Sequence, residues 1–403
     1  MIILFLTLLD FLTIEESGIY TDLMREFVKN NHQVYIVSPT EKNKKQPTKL
    51  IDKGSYKILK LQIGNTQKTN MIVKGISTLT LESKFQKGIE AYFSDVKFDL
   101  VIYSTPPITL GRAIKYVKER DRAQTYLLLK DIFPQNAVDL GIIKKTGIHR
   151  LLYNNFRKKE QRLYALSDYI GCMSKANVDF LVQHNTDISP NIVEICPNSI
   201  EPLIIEIDEM KITETKKKYN IPLDRTVFIY GGNLGKPQGI DFLIECLRAN
   251  KTNEHVYFLI AGSGTEFNKL KSLFDSEHLA NAQLLHQLPK PDYEILANSC
   301  DVGLVLLDKR FTIPNFPSRL LSYMQASMPV LAATDVNTDI GQVIQKGEFG
   351  YWCESNDVKE FNGYVQRLCD PVLRKQMGAN ARKHLEENYT AKHSYEIIMS
   401  HFK

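Results

Sequence analysis

Residues 226–239 read TVFIYGGNLGKPQG, and the fold turns on how they are read. Residues 226–230 have strand character, Gly231, Gly232, Gly235 and Gly239 follow, and Phe242, Leu243, Cys246 and Leu247 recur at helical spacing. The pattern predicts a strand, a turn and the N-terminus of a helix. Glycines permit positive φ and close approach of a ligand to the backbone, and the unpaired N–H groups of a new helix attract anions. Lys236 adds a positive charge beside the turn. Together they suit the diphosphate of a nucleotide-type ligand, while a βα turn that serves only the fold stays open as the alternative. The stretch is neither a Walker loop nor a G-x-G-x-x-G fingerprint.

A second turn of the same kind follows. Residues 255–261, HVYFLIA, read as a buried strand, and Gly262-Ser263-Gly264 opens another predicted helix. Consecutive strand ends carrying glycines place both turns on one edge of a parallel sheet, where open α/β folds bind ligands.

Outward from this point the chain alternates. Strands are expected at 2–9, 33–38, 56–63, 98–104, a run ending at Lys130-Asp131-Ile132-Phe133-Pro134, 169–173 and 192–196, with helices between them, including 19–29 and 76–94. After the turn-rich Pro197-Asn198-Ser199-Ile200-Glu201-Pro202, the alternation repeats with strands near 226–230, 256–261, 282–286, 301–306, 328–332 and 349–353. This is the pattern of doubly wound parallel sheets. At 403 residues the chain suits two domains. The expected division is an N-terminal Rossmann-like domain at 1–198, a C-terminal one at 199–385, and a closing helix at 386–403 that returns to the N-terminal domain.

Composition, 43% hydrophobic and 24% charged, is that of a globular protein, and a net charge of +5 excludes no partner. MIILFLTLLD lacks a basic leader and a cleavage site, so it reads as a buried strand, and no apolar run reaches the roughly 20 residues of a membrane span. Six scattered cysteines without a C-x-x-C pair read as core thiols in a reducing cytoplasm. Without a zinc-spaced cluster or an Asp-x-Asp, neither a metal site nor a cofactor is expected. His32 and His149 read as structural.

Residues 142–166 stand apart. Lys144, Lys145, Arg150, Arg157, Lys158, Lys159 and Arg162 alternate with Leu151, Leu152, Tyr153, Phe156, Leu163 and Tyr164, against a single acid, Glu160. A basic amphipathic helix suits an anionic membrane surface, and a packed helix with a solvated basic face is the competing reading. No nucleic-acid module surrounds it, so nucleic acid is not an expected partner.

These motifs resemble those of the GT-B glycosyltransferases, specifically the retaining-type family four and its bacterial transferases for N-acetylfucosamine-like sugars of capsule and O-antigen. The resemblance spans the chain. It rests on Gly232-Asn233-Leu234-Gly235-Lys236-Pro237-Gln238-Gly239, on Gly262-Ser263-Gly264, on Pro317-Ser318-Arg319-Leu320, on Lys130-Asp131-Ile132-Phe133-Pro134 and on Pro197-Asn198. It implies two Rossmann-like domains with parallel sheets facing across an interdomain cleft. It also implies a UDP-sugar donor, an acceptor carried on a polyprenyl diphosphate, and work at the cytoplasmic face of the cell membrane, with 144–162 as the docking segment. The chain departs from the family where E-x7-E aligns with Pro314 and Ser322, and where the Arg and Lys of the phosphate turn align with Asn233 and Gln238.

The expected donor-binding residues are Gly232, Asn233, Gly235, Lys236, Gly262, Gly264, Ser318 and Arg319, with charge on the leaving diphosphate stabilised by a helix N-terminus, Lys236 and Arg319 instead of a metal. For the base, Asp131 at a strand end comes first and Glu16 beside Gly18 second; Asp131 as an N-cap of the helix after Pro134 is the structural alternative. A non-catalytic sugar-nucleotide-binding protein and a GT-B-type epimerase remain as other functional classes.

Overall fold

A computed structural model describes residues 1–65, 71–147, 149–204 and 207–402. The chain divides into two compact units, Met1–Glu201 with Ala391–Lys403, and Pro202–Thr390.

The first unit is built on an eight-stranded sheet. In chain order its strands are β1 (Ile2–Leu6), β2 (Gln33–Glu41), β3 (Lys49–Asp52), β4 (Tyr56–Ile63), β5 (Leu100–Ser104), β6 (Gln124–Leu129), β7 (Tyr169–Cys172) and β8 (Val193–Ile195). Their spatial order is β3-β4-β2-β1-β5-β6-β7-β8, all parallel except β3, which runs antiparallel to β4. β1 and β5 are near-continuous apolar runs because helices cover both faces of a parallel sheet. The pleat sorts them: Leu4, Leu6 and Val101 pack with Phe85, Ile114 and Val117, while Ile3, Phe5 and Ile102 pack on the other face with Met24, Phe27 and Ile398. Ile398 belongs to the Ala391–Met399 helix, whose Tyr395 hydroxyl meets His32 Nε2 at 3.0 Å. β3 falls in the lysine-rich, polar stretch 41–53, whose composition alone predicts a surface loop. As an edge strand it needs only one apolar contact face, and charged side chains suit an edge.

The second unit has a six-stranded, all-parallel sheet of β9 (Thr226–Asn233), β10 (Val256–Ser263), β11 (Ala282–His286), β12 (Val302–Leu306), β13 (Val330–Thr334) and β14 (Gly350–Glu354). The order β11-β10-β9-β12-β13-β14 reverses direction between β9 and β12, which makes the carboxyl ends of those strands the topological switch point. On β14, Trp352 packs so closely on Gly341 that an added Cβ would lie 2.6 Å from its ring, and its Nε1 donates to Thr334 Oγ1 at 2.8 Å.

Candidate functional site

The glycine turn differs from its sequence reading. β9 continues past Tyr230, so that Gly231, Gly232 and Asn233 pair with Ala261, Gly262 and Ser263 of β10. A short 3-10 turn, Lys236–Gln238, comes next, and the helix begins only at Ile240, capped by Gly239. The helix therefore starts just after Gly239, as the Phe242, Leu243, Cys246 and Leu247 spacing predicts, and beyond residues 232–236. Gly262 and Gly264 are needed for backbone proximity: a Cβ would lie 2.0 Å from the Gly232 carbonyl oxygen in the first case and 2.3 Å from that of Leu234 in the second. Asn233 and Gln238, the positions where the family carries cations, bond to each other instead. Asn233 Nδ2 donates to Gln238 Oε1 at 3.0 Å, and the same oxygen accepts from Gly235 N–H at 3.1 Å. A neutral amide pair thus ties the turn.

A cavity of about 560 Å³ opens at the ends of β9 and β10. Gly231, Gly232, Ala261 and Gly262 line it from the strands; Gln287, Leu288, Lys290 and Tyr293 come from beyond β11, and Pro317, Ser318, Arg319, Ser322 and Tyr323 from beyond β12. Arg319 is the first residue of the Arg319–Gln325 helix. Its guanidinium carbon sits 4.0 Å from the ring centroid of Tyr230, and its Nε is buried without a hydrogen-bond partner. Gly232, at φ +124°, leaves this group its room, since a Cβ there would approach Nη2 to 2.8 Å. Tyr230 is fully buried and donates from its hydroxyl to Asn233 O at 2.8 Å. Tyr323 similarly bonds Ile229 O at 3.1 Å. Burial pushes the Tyr293 hydroxyl up to about 12, so its ring stands neutral in the wall.

Of the expected donor residues, Gly232, Gly262, Ser318 and Arg319 line this cavity; Asn233, Gly235, Lys236 and Gly264 do not. The Lys236 side chain is exposed. Tyr230, Tyr293, Gln287 and Lys290 escaped the sequence reading. Residues 287–288 follow directly on β11, a third strand end beside the two glycine turns, which is the signal that could have found them. Ser322 faces the cavity and Pro314 is buried, so neither position offers a carboxylate.

In the first unit, Asp131 follows β6. Thr105 Oγ1 accepts from the N–H groups of Lys130 and Asp131 at 3.0 and 3.3 Å and donates to Asp131 O at 3.1 Å, which fixes the turn. Asn136 Nδ2 donates to both Asp131 carboxylate oxygens at 2.8 Å. Burial pushes the Asp131 carboxyl up to about 6, against the lowering effect of the Ile132 N–H and the Asn136 amide. The N-cap position of the Gln135–Asp139 helix is held by Pro134, so Asp131 does not cap it. Glu16 lies exposed in the loop after β1, and its carbonyl accepts from Arg25 Nη1 at 3.2 Å. That loop has an organiser absent from the sequence reading. Lys60 of β4 is 1% exposed and donates to Asp10, to Ser38 Oγ at 2.8 Å and to Phe11 O at 3.1 Å.

The basic segment is also narrower than it reads. Its helix is His149–Leu166. Arg157 turns inward to Glu160, Asn185 and His184 O, and Lys159 pairs with Glu82 at 3.3 Å. Glu160 is buried and also accepts from Tyr164 at 2.7 Å, while Phe156 packs edge-on against Phe133 at 5.0 Å. What faces outward is Lys144, Lys145, Arg150, Lys158 and Arg162 with Ile142, Leu151 and Leu152, of which Leu151 is 74% exposed. Among the described residues, no helix is long and apolar enough to cross a membrane.

The chain is similar to several known proteins in sequence and in fold. Residues 211–384 match the family described as Glycosyl transferases group 1. The chain is 25% identical over 294 residues to a probable glycosyltransferase, WbjE, of Pseudomonas aeruginosa, covering 72% of this chain and 71% of that one. It is 29% identical over 195 residues to the N-acetyl-alpha-D-glucosaminyl L-malate synthase of Bacillus anthracis, about half of each chain at 48%. Among solved structures, sucrose-phosphate synthase of Thermosynechococcus elongatus superposes with a TM-score of 0.75 at 14% identity, covering 100% of this chain and 98% of that one. Anabaena HepE in complex with UDP does so with a TM-score of 0.65 at 14% identity, covering 100% and 99%. Two parallel-sheet Rossmann-like domains and these neighbours define an α/β protein with the GT-B fold. The enzyme is a glycosyltransferase, and its group 1 match lies in the unit that holds the cavity.

Proposed function

We propose that this enzyme transfers a sugar from a UDP-sugar to a saccharide carried on a polyprenyl diphosphate, in the assembly of a capsule or O-antigen polysaccharide. The sugar is proposed to be an N-acetylated deoxyhexosamine such as N-acetyl-L-fucosamine. The observation that carries the reading is the cavity at the ends of β9 and β10, lined by Arg319 with its buried, unpartnered Nε. The nucleotide diphosphate lies there. The oxygen of an acceptor hydroxyl bonds to the anomeric carbon, the bond from that carbon to the diphosphate oxygen breaks, and its electron pair leaves with the nucleoside diphosphate. Arg319 meets the developing charge without a metal, and Asp131, raised toward neutrality by burial, takes the hydroxyl proton. Glu16 is the second candidate for that role. Relatives named for glycosyl transfer, colanic acid biosynthesis among them, and a GT-B neighbour crystallised with UDP support the donor and pathway class.

Incubation with labelled UDP-sugars and a lipid-linked acceptor tests the reading. Transfer is expected; binding without turnover would favour a sugar-nucleotide-binding protein, and isomerisation without acceptor an epimerase. The same proposal places the enzyme at the inner face of the cell membrane, docked through Lys144, Lys145, Arg150 and Lys158 beside Ile142, Leu151 and Leu152. Near-surface cations are worth about 1 kcal/mol each on anionic lipid. Reversal of these four cations to Glu should release the protein from anionic liposomes and leave UDP binding intact; unchanged co-sedimentation at low salt would reduce the patch to a solvated face. Arg157 and Lys159 are unsuitable for that test, because their side chains are engaged with Glu160 and Glu82.

A further inference from the structure

We infer that Arg319 takes over the diphosphate charge that the glycine turn lacks, and that Tyr230 is the positioning residue that holds it by stacking. The inference rests on the donor-site reading above. Three observations meet at this point. Asn233 and Gln238 satisfy one another as a neutral pair, so the turn itself offers no cation toward the cavity. Lys236, the one cation in the turn, is exposed and outside the cavity lining. Arg319 lies over the Tyr230 face at 4.0 Å with a buried Nε that nothing accepts from.

A guanidinium can be held in two ways. A carboxylate would fix it but neutralise it and occupy the same forked N–H edge that an oxyanion needs. An aromatic face fixes the plane through cation–π attraction and leaves the edge and the full charge free. This chain uses the second. Among the described residues no acid forms an ion pair with Arg319, and the titratable groups that act on it are the neutral hydroxyls of Tyr230, Tyr323 and Tyr293. Tyr230 also ties the two parts of the site together: its ring carries Arg319 while its hydroxyl holds Asn233 O of the turn. Gly232 completes the device, because at φ +124° it leaves room for Nη2, which a Cβ there would crowd at 2.8 Å.

The test measures affinity for UDP, inorganic pyrophosphate and uridine by calorimetry, with thermal unfolding as the folding control. Tyr230→Leu keeps an apolar core residue without the π face and should weaken UDP and pyrophosphate about tenfold while leaving uridine unchanged. Tyr230→Phe should restore most of that loss. Arg319→Lys, at a position partly open to solvent, keeps the charge without a plane to stack. It should lose pyrophosphate affinity nearly as far as Arg319→Ala. Loss of pyrophosphate binding in Arg319→Ala, but wild-type affinity in Tyr230→Leu and Arg319→Lys, would overturn the stacking role and leave the donor site standing. Wild-type affinity in Arg319→Ala, or no binding of either phosphate ligand by the unmodified protein, would overturn the donor-site assignment and this inference with it.

Discussion

At the end of β10, Gly262 lies against Gly232 with no room for a Cβ, and the polar work is left to side chains arriving from elsewhere, Arg319 above all. At the end of β6, Thr105, Asp131 and Asn136 bond one another through side chains that follow their own strands. The first arrangement keeps the backbone bare and brings in a cation; the second buries an acid and surrounds it with donors. One favours a bound anion, and the other raises the basicity of a carboxylate. In both, what matters chemically is a charge whose usual partner is missing.

The sharpest way to break this contrast is at the acid. Asp131→Asn should lower kcat by about 10²- to 10⁴-fold, the range for a general base, while UDP affinity stays at the wild-type value. An equal loss of UDP affinity would merge the two sites into one. Arg319→Ala should do the opposite, weakening UDP by about ten- to a hundredfold, since hydrogen bonds to charged groups contribute about 1.5–3 kcal/mol. A fall in melting temperature large enough to account for that loss would make the residue structural.

A subtler test uses pH. Because the Asp131 carboxyl titrates near 6, kcat/KM should rise with pH through that value as the base ionises. Asn136 donates to both oxygens of the charged form and so favours it. Asn136→Leu should therefore move the acid limb to higher pH, and movement to lower pH would remove Asp131 from the role. The smallest effect is expected at Lys236→Ala. An exposed cation outside the cavity should change UDP affinity by less than about threefold, in line with the small worth of surface charges. A loss matching that of Arg319→Ala would put the turn's own charge back at the centre of the donor site.

The alternation of strands and helices and the two glycine-bearing strand ends were legible because local patterns encode them. Other features depend on pairs far apart in the chain. Nothing in Tyr230 or Arg319 alone announces that one stacks on the other, and Asn233 and Gln238 read as missing cations until they are seen bonding each other. Lys60 sits in a strand whose period calls for an apolar residue, and its burial makes sense only with Asp10, Ser38 and Phe11 folded over it. The basic segment misled for the same reason. Residue type gave its charge, but the inward turn of Arg157 and Lys159 follows from Glu160, Asn185 and Glu82.

Trp352 is the sole tryptophan of the sequence, and it lies on β14, inside the unit that carries the cavity. Indole emission is therefore a spectroscopic label that nature has already placed on one half of the chain. During denaturation its change tracks the loss of Pro202–Thr390 alone, whereas far-ultraviolet dichroism sums both halves. If the two signals are followed together, non-coincident transitions would reveal two separately cooperative bodies. UDP would then be expected to delay the fluorescence transition by mass action, and a variant such as Tyr230→Leu could be sorted into damage to the host unit or loss of ligand contact without any engineered probe.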